Sequence, residues 1–208
     1  IELDTNVAEI HNRYGRAYLI PLGRFDEAAT ELKRALELEP LTMTFGGNLT
    51  AVYLRARKTD LALEQAKKTS SLDPNHPIAR IWLGWAYIAG GMYKEAIVLA
   101  ENALKTSPTD QDALGTVGAS YAKSGRRSDA QNVLSKLNDL AKSEYVSHYY
   151  LAMVWASLGE KDRTFAELEK AFDIHDRFCI EMQYDFFMDP VREDPRFAEL
   201  LKRLNLPE

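Results

Sequence analysis

The sequence predicts an all-α chain, an α-α superhelix of about five helical hairpins with a C-terminal capping helix. Pro40, Pro74 and Pro108 recur at a constant interval of 34 residues. A fixed period of that length marks stacked helical hairpins. Gly91, Gly125 and Gly159 keep the same interval, where a left-handed residue would end the first helix of a hairpin. No alternating apolar run is bounded by hairpin turns, so strand signals are missing.

The elements follow in order when each unit is written with its proline at position 32. The third unit, 77–110, carries Leu83-Gly84 at positions 7 and 8, Tyr87 at 11, Gly91 at 15, Tyr93 at 17, Ala96 at 20 and Ala103 at 27. The fourth, 111–144, repeats Val117-Gly118, Tyr121, Gly125 and Ala130 at the same places. In the second, 43–76, Leu49, Tyr53 and Ala62 match, but Arg57 stands where glycine is expected. In the fifth, 145–176, Leu151, Ala152, Trp155, Gly159 and Ala171 match, with Thr164 in place of alanine. The first, 8–42, reads Tyr14-Gly15, Tyr18, Gly23, Phe25, Ala28, Ala35 and Pro40 with one extra residue. A longer turn at Ile20-Pro21-Leu22 is expected to absorb it. The helix pairs are expected at 8–20 with 25–38, 43–57 with 60–72, 77–90 with 93–106, 111–124 with 127–142, and 145–158 with 161–173.

This pattern resembles the tetratricopeptide repeat, W-x2-L-G-x2-Y followed by Ala, Phe, Ala and Pro. Small residues at 8 and 20 let the two helices of a hairpin approach, and the proline ends the second helix. Position 4 departs in every unit: His11, Gly46, Arg80, Leu114 and His148 stand where tryptophan is usual.

The ends read separately. Residues 1–7 are expected to be the tail of a preceding repeat, since Ile1-Glu2-Leu3-Asp4-Thr5 parallels Leu36-Glu37-Leu38-Glu39-Pro40. The chain is therefore expected to be a segment of a longer protein. Residues 177–208 are expected to cap the array. Asp189-Pro190 and Asp194-Pro195 each place an N-cap aspartate before a first-turn proline. A short turn near 189–193 and a helix at 195–204 follow. Phe197, Leu200, Leu201 and Leu204 share one side of that helix, and Tyr184, Phe186 and Phe187 help cover the last hairpin. An open stack needs such a cap for solubility.

With 208 residues, 46% hydrophobic and 27% charged, the chain can bury a continuous core, and an elongated array is one domain. A net charge of −5 disfavours a nucleic-acid surface. The longest apolar stretch, around Ile81 to Tyr93, is short and glycine-broken, a core helix and not a membrane span. Cys179 is the single cysteine, which removes an intrachain disulfide and a cysteine metal cluster. A cytoplasmic location is expected.

Catalysis finds no footing. His11, His76, His148 and His175 are dispersed without ligand spacing, and His11 and His148 occupy a packing position. Cys179 reads as a buried inert thiol. Acidic pairs such as Glu37/Glu39 and Asp110/Asp112 lie at helix ends, without a cleft to tune them. Gly90-Gly91 is a hairpin turn, not a phosphate loop. No catalytic residue, metal or cofactor is expected.

Binding is the better expectation. Positions 2, 5, 9 and 12 of each first helix (helix A) share one face, and in such arrays these helices line the concave side. The candidate ligand-binding residues are Asn12, Arg13, Arg16, Asn48, Arg55, Ile78, Ile81, Trp85, Tyr149 and Met153. The groove reads polar and partly basic at one end and apolar in the middle, with small floor residues opposite a tryptophan. It suits an extended or helical peptide with an apolar anchor. Trp82 is expected to pack between units, while Trp85 is open to either groove or core.

Co-chaperones of the resembled family grip a peptide carboxylate with Lys and Asn at positions 5 and 9, Asn at 6, then Lys and Arg at 2 and 6 of successive units. Here Asn12, Arg16, Asn48, Ile78 and Trp82 stand there. Asn48 fits, but both later cations are missing, so acidic chaperone tails are not expected to bind tightly. The run Leu158-Gly159-Glu160-Lys161-Asp162-Arg163, then Leu168-Glu169-Lys170-Ala171, Asp185 to Pro190 and Asp194-Pro195-Arg196-Phe197, ending Leu204-Asn205-Leu206-Pro207, resembles the C-terminal arrays of bacterial multidomain regulators, departing at Phe186-Phe187, where Pro-Arg is common. Those carry a winged helix, a nucleotide cyclase or a Ser/Thr kinase. The resemblance implies a regulatory binding module of a larger protein. A stand-alone assembly or co-chaperone-like adaptor is the alternative, and a homodimer is a variant of both.

Overall fold

The computed structural model describes residues 6–176 and 178–204, with the side chain of Glu181 outside the description. The expected repeat tail at 1–5 and the run 205–208 therefore lie outside the described residues. Among the described residues every regular element is helical.

Each pair reads helix A then helix B. The order is α1 (Ala8–Arg13) continuing into a π-helical turn (Tyr14–Leu19), α2 (Phe25–Leu38), α3 (Met43–Arg55), α4 (Thr59–Leu72), α5 (Pro77–Ala89) and α6 (Tyr93–Thr106). Then follow α7 (Gln111–Lys123), α8 (Arg127–Leu140), α9 (His148–Ser157), α10 (Lys161–Asp173), two 3-10 helices (Cys179–Tyr184 and Phe186–Val191) and α11 (Pro195–Arg203). The fold is thus all-α and built of hairpins, as expected. Two compact units divide the described residues, a first unit of 6–90 and a second of 91–204, each spanning more than one repeat, with the division in the turn Gly90–Gly91.

The periodic residues act as their chemistry dictates. Gly23, Gly91, Gly125 and Gly159 have φ between 68° and 82°, a region closed to most side chains. Arg57 takes the same role at φ 59° without glycine's freedom. The residue at position 20 is fully buried in every unit: Ala28, Ala62, Ala96, Ala130 and Thr164 are each 0% exposed. Thr164 tolerates burial because its hydroxyl donates to the Glu160 carbonyl at 2.9 Å, a back-bond open to a helical threonine. Helices α2, α4 and α6 each stop two residues before their proline.

The first hairpin corrects one expectation. The turn Leu19–Arg24 has the ordinary closure, Arg24 N–H donating to the Leu19 carbonyl at 3.0 Å, as Lys58 does to Tyr53 and Arg126 to Tyr121. The extra residue lies earlier, inside helix A, where Ile20 N–H reaches the Gly15 carbonyl at 3.1 Å across five residues. A wide turn absorbs one residue without breaking the backbone ladder. The register shifts by one as a result. Leu19 is 1% exposed, while Tyr18, matched to the repeat tyrosine, is 53% exposed and stacks on Tyr14.

In the second unit Leu114, Val117, Val133, Leu134, Leu137, Leu151 and Val154 form one apolar cluster, each such burial stabilising by about 1.5–3 kcal/mol. The cap differs from expectation in one cap residue. Asp194 does cap α11, accepting from Arg196 N–H at 3.1 Å ahead of Pro195. Asp189 does not cap a helix, because Pro190 lies inside the 3-10 helix Phe186–Val191. Asp185 is the cap there, accepting from Phe187 N–H at 3.0 Å.

Candidate functional site

Helix A residues of the first unit assemble a mixed face. On α1, Arg13 donates to Glu9 at 2.7 Å, and the Asn12 amide to the other oxygen of Glu9 at 3.3 Å. The Asn48 amide on α3 donates to the Asn12 carbonyl oxygen at 2.7 Å, so two sequence-predicted residues 36 apart in the chain meet. Both are nearly buried, which makes this bridge a firm join between α1 and α3. Arg13 and Arg16 are exposed.

The apolar part is set by a missing side chain. Gly47 lets α5 come so close to α3 that an added Cβ would lie 2.6 Å from Ile78 Cγ2 and 2.7 Å from Trp82 Cδ1. Ile78, Ile81 and Trp82 are half-buried, and the buried Arg55 guanidinium lies 5.8 Å above the Trp82 ring. A cation over an indole is attracted to its π face. Trp85 is only 2% exposed and meets Trp82 edge-on at 5.2 Å. Thus Trp85 is a core residue, and Trp82, expected to pack between repeats, does so against Gly47 while keeping part of its surface.

Tyr149 and Met153 on α9 take the corresponding helix A positions in the second unit, and both are fully buried. Tyr149 donates to Asp185 at 2.6 Å and stacks on Phe178 at 5.1 Å. The cap therefore covers Tyr149, a partner the repeat pattern could not reveal, while Met153 packs toward Gly115 of α7. Lys123 at the end of α7 is held below the ordinary lysine range by burial, with the Asp189 carboxylate opposing the shift.

The position-4 histidines join the two helices of their hairpins. His11 Nδ1 lies 2.6 Å from Glu31, and His148 Nδ1 lies 2.7 Å from Glu167. Cys179 is buried, and burial first, then Asp176, pushes its thiol up to about 12. A thiol so protonated is a poor nucleophile. Among the described residues no three His, Cys, Asp or Glu side chains converge, and no helix is long and apolar enough to cross a membrane.

Helices α2, α3 and α4 line an open pocket of about 570 Å³ that the sequence did not announce. Leu36, Pro40, Leu49 and Tyr53 contribute its apolar lining, and Lys33, Glu37, Glu64 and Lys68 add charges of both signs.

Three tetratricopeptide repeat family models match residues 8–40, 52–111 and 89–150. Human tetratricopeptide repeat protein 13 is 32% identical over 103 residues, covering 50% of this chain and 12% of the human protein. Superkiller protein 3 of Schizosaccharomyces pombe is 20% identical over 187 residues, 86% of this chain and 13% of that one. The chain thus spans about an eighth of the length of these curated relatives. A solved thermophilic tetratricopeptide-repeat protein of Thermus thermophilus shares the fold at 24% identity, with a TM-score of 0.64 over 86% of this chain and 97% of that one.

Proposed function

Because the chain is built from tetratricopeptide repeats, we propose that it is a non-catalytic scaffold binding a protein or peptide segment on its helix A face. The carrying observation is the juxtaposition on the first unit. The Asn12–Asn48 amide bridge and the exposed Arg13 and Arg16 stand at one end of this face. The half-buried Ile78, Ile81 and Trp82 lie on the third helix of the same face. Asn and Arg can pair with a ligand's backbone and carboxylates, while the ridge removes an apolar side chain from water. Asn12, Arg13, Arg16, Asn48, Arg55, Ile78 and Ile81 stay as the proposed contacts, joined by Trp82. Trp85 is proposed to act only through packing beneath Trp82.

The segment is proposed to be the regulatory arm of a larger bacterial signalling or transcription-regulating protein, working in the cytoplasm without touching nucleic acid itself. Its C-terminal run, from Leu158 to Pro207, supports that reading by resemblance alone. A self-standing adaptor fits the same surface.

Panning a random peptide library on the immobilised chain tests the binding role. Enrichment of peptides with an apolar anchor beside an acidic residue is expected. Trp82→Ala should weaken the best of them at least about tenfold, as loss of an anchor does, and Arg16→Glu should act in the same direction. Enriched peptides indifferent to both substitutions would refute the assignment.

A further inference from the structure

On the second unit the helix A face is already filled by the chain itself. Phe187, Met188 and Val191 of the second 3-10 helix are each at most 1% exposed, as are Tyr149 and Met153 of α9. We propose that this face is a recognition surface for a short apolar segment led by an aspartate, and that residues 185–191 fill it in cis as an exchangeable occupant. The inference rests on the reading of the helix A face as the binding surface.

Three features support exchange over permanent core. The contact includes repeat position 5 of helix A, which on the first unit holds the half-buried Ile81 of the proposed binding face, so the strap sits where a ligand would. Its polar anchor is one that a separate peptide could reproduce: the Tyr149 hydroxyl donates to Asp185 at 2.6 Å. The segment also satisfies much of its own backbone. Asp185 caps the Phe187 N–H, and the Arg192 guanidinium donates to the carbonyls of Gln183 and, at 2.7 Å, Asp185. A segment folded on itself can leave and re-seat without exposing many unpaired groups. Asp189 stands near the half-buried Lys123 of α7, which adds a second acidic preference one turn later. An outside segment of the same pattern, Asp followed by paired aromatic and methionine-like residues, would have to displace the strap. Its apparent affinity would be lowered by the fraction of chains that are open.

A fluorescein-labelled peptide of residues 178–192, titrated into the full chain by anisotropy, tests this. The wild-type chain should take it weakly. Asp185→Ala and Phe187→Ala, which loosen the strap in cis, should each bind it at least about tenfold more tightly, since more chains are open. Trp82→Ala should leave that binding unchanged. Loss of binding in Trp82→Ala would place the peptide on the first unit, sparing the proposed function but refuting this inference. Folded strap variants that gain no affinity would refute it too. If the variants fail to fold, hydrogen exchange on the wild-type chain decides. Amides of residues 186–191 should exchange through openings that leave α9 protected. Exchange of strap and α9 together only at global unfolding would make the strap ordinary core.

Discussion

Gly47→Ala sets two known effects against each other. In an exposed helix interior the change gains about 1 kcal/mol from backbone propensity. Here the new methyl would lie 2.6 Å from Ile78 Cγ2, 2.7 Å from Trp82 Cδ1 and 2.9 Å from Trp82 Nε1. Relaxed carbon contacts sit at about 3.5–4.0 Å, so α3 and α5 must part by roughly 1 Å. An indole ring cannot step aside like the tip of a lysine, and overpacking of this kind costs about 1–3 kcal/mol. The net expectation is a loss of about 0–2 kcal/mol where propensity alone would give a gain. For a chain of this size each kcal/mol moves the melting midpoint by about 2–4 °C. Repeat arrays need not unfold in one step. Melting should therefore be followed by far-ultraviolet circular dichroism and by tryptophan fluorescence, to which Trp82 contributes together with Trp85 and Trp155. A midpoint raised by the propensity amount, with an unchanged tryptophan spectrum, would refute the close approach of α3 and α5.

Three further outcomes follow from the same geometry. Arg57→Gly should raise stability by about 0.5–1 kcal/mol, because it relieves a left-handed residue at φ 59° at some cost in unfolded-chain entropy; an unmoved denaturation midpoint would argue against strain there. Trp85→Ala should cost about 3–5 kcal/mol as a core truncation, and Trp82→Ala only roughly 1–2 kcal/mol as a half-exposed one; equal losses would mean that α5 is rotated from the orientation described. The side-chain bond from Arg196, more than its charge, holds the Asp194 carboxyl down to about 2. Its folded pKa is thus below the unfolded value of about 4, so its contribution is present above about pH 4 and is lost as pH falls toward 2. Pepsin cleavage in α11 should rise over that window, and Asp194→Asn, which keeps the cap but loses the ion pair, should flatten the rise relative to wild type.

The hairpins were legible because each depends on residues close in the chain. A glycine at position 15 meets a backbone need of its own turn, the small residue at 20 a need of its own hairpin, and the proline stops its own helix. Such constraints recur every 34 residues and can be read without knowing what packs where. Even the departure at Arg57 was legible as a place where the backbone demand outlasts the glycine. The single extra residue of the first unit was visible as a count but not as a location. A turn and a π-helical stretch absorb one residue equally well in sequence, and the choice followed from which of Leu19 and Tyr18 the core could bury.

The candidate face was legible only in part, for the same reason carried further. Sequence spacing placed Asn12, Asn48, Ile78 and Ile81 on helix A, and the bridge between the two asparagines agrees with that placement. It could not say which of Trp82 and Trp85 keeps a surface, since that depends on how α5 is packed. Nor could it say that Tyr149 is held by Asp185, 36 positions downstream, or that Met153 is fully buried. Local backbone preference and periodicity therefore suffice for the architecture of this chain. Exposure of a given side chain is decided by distant segments packing on it, and that information exists only once the helices are assembled.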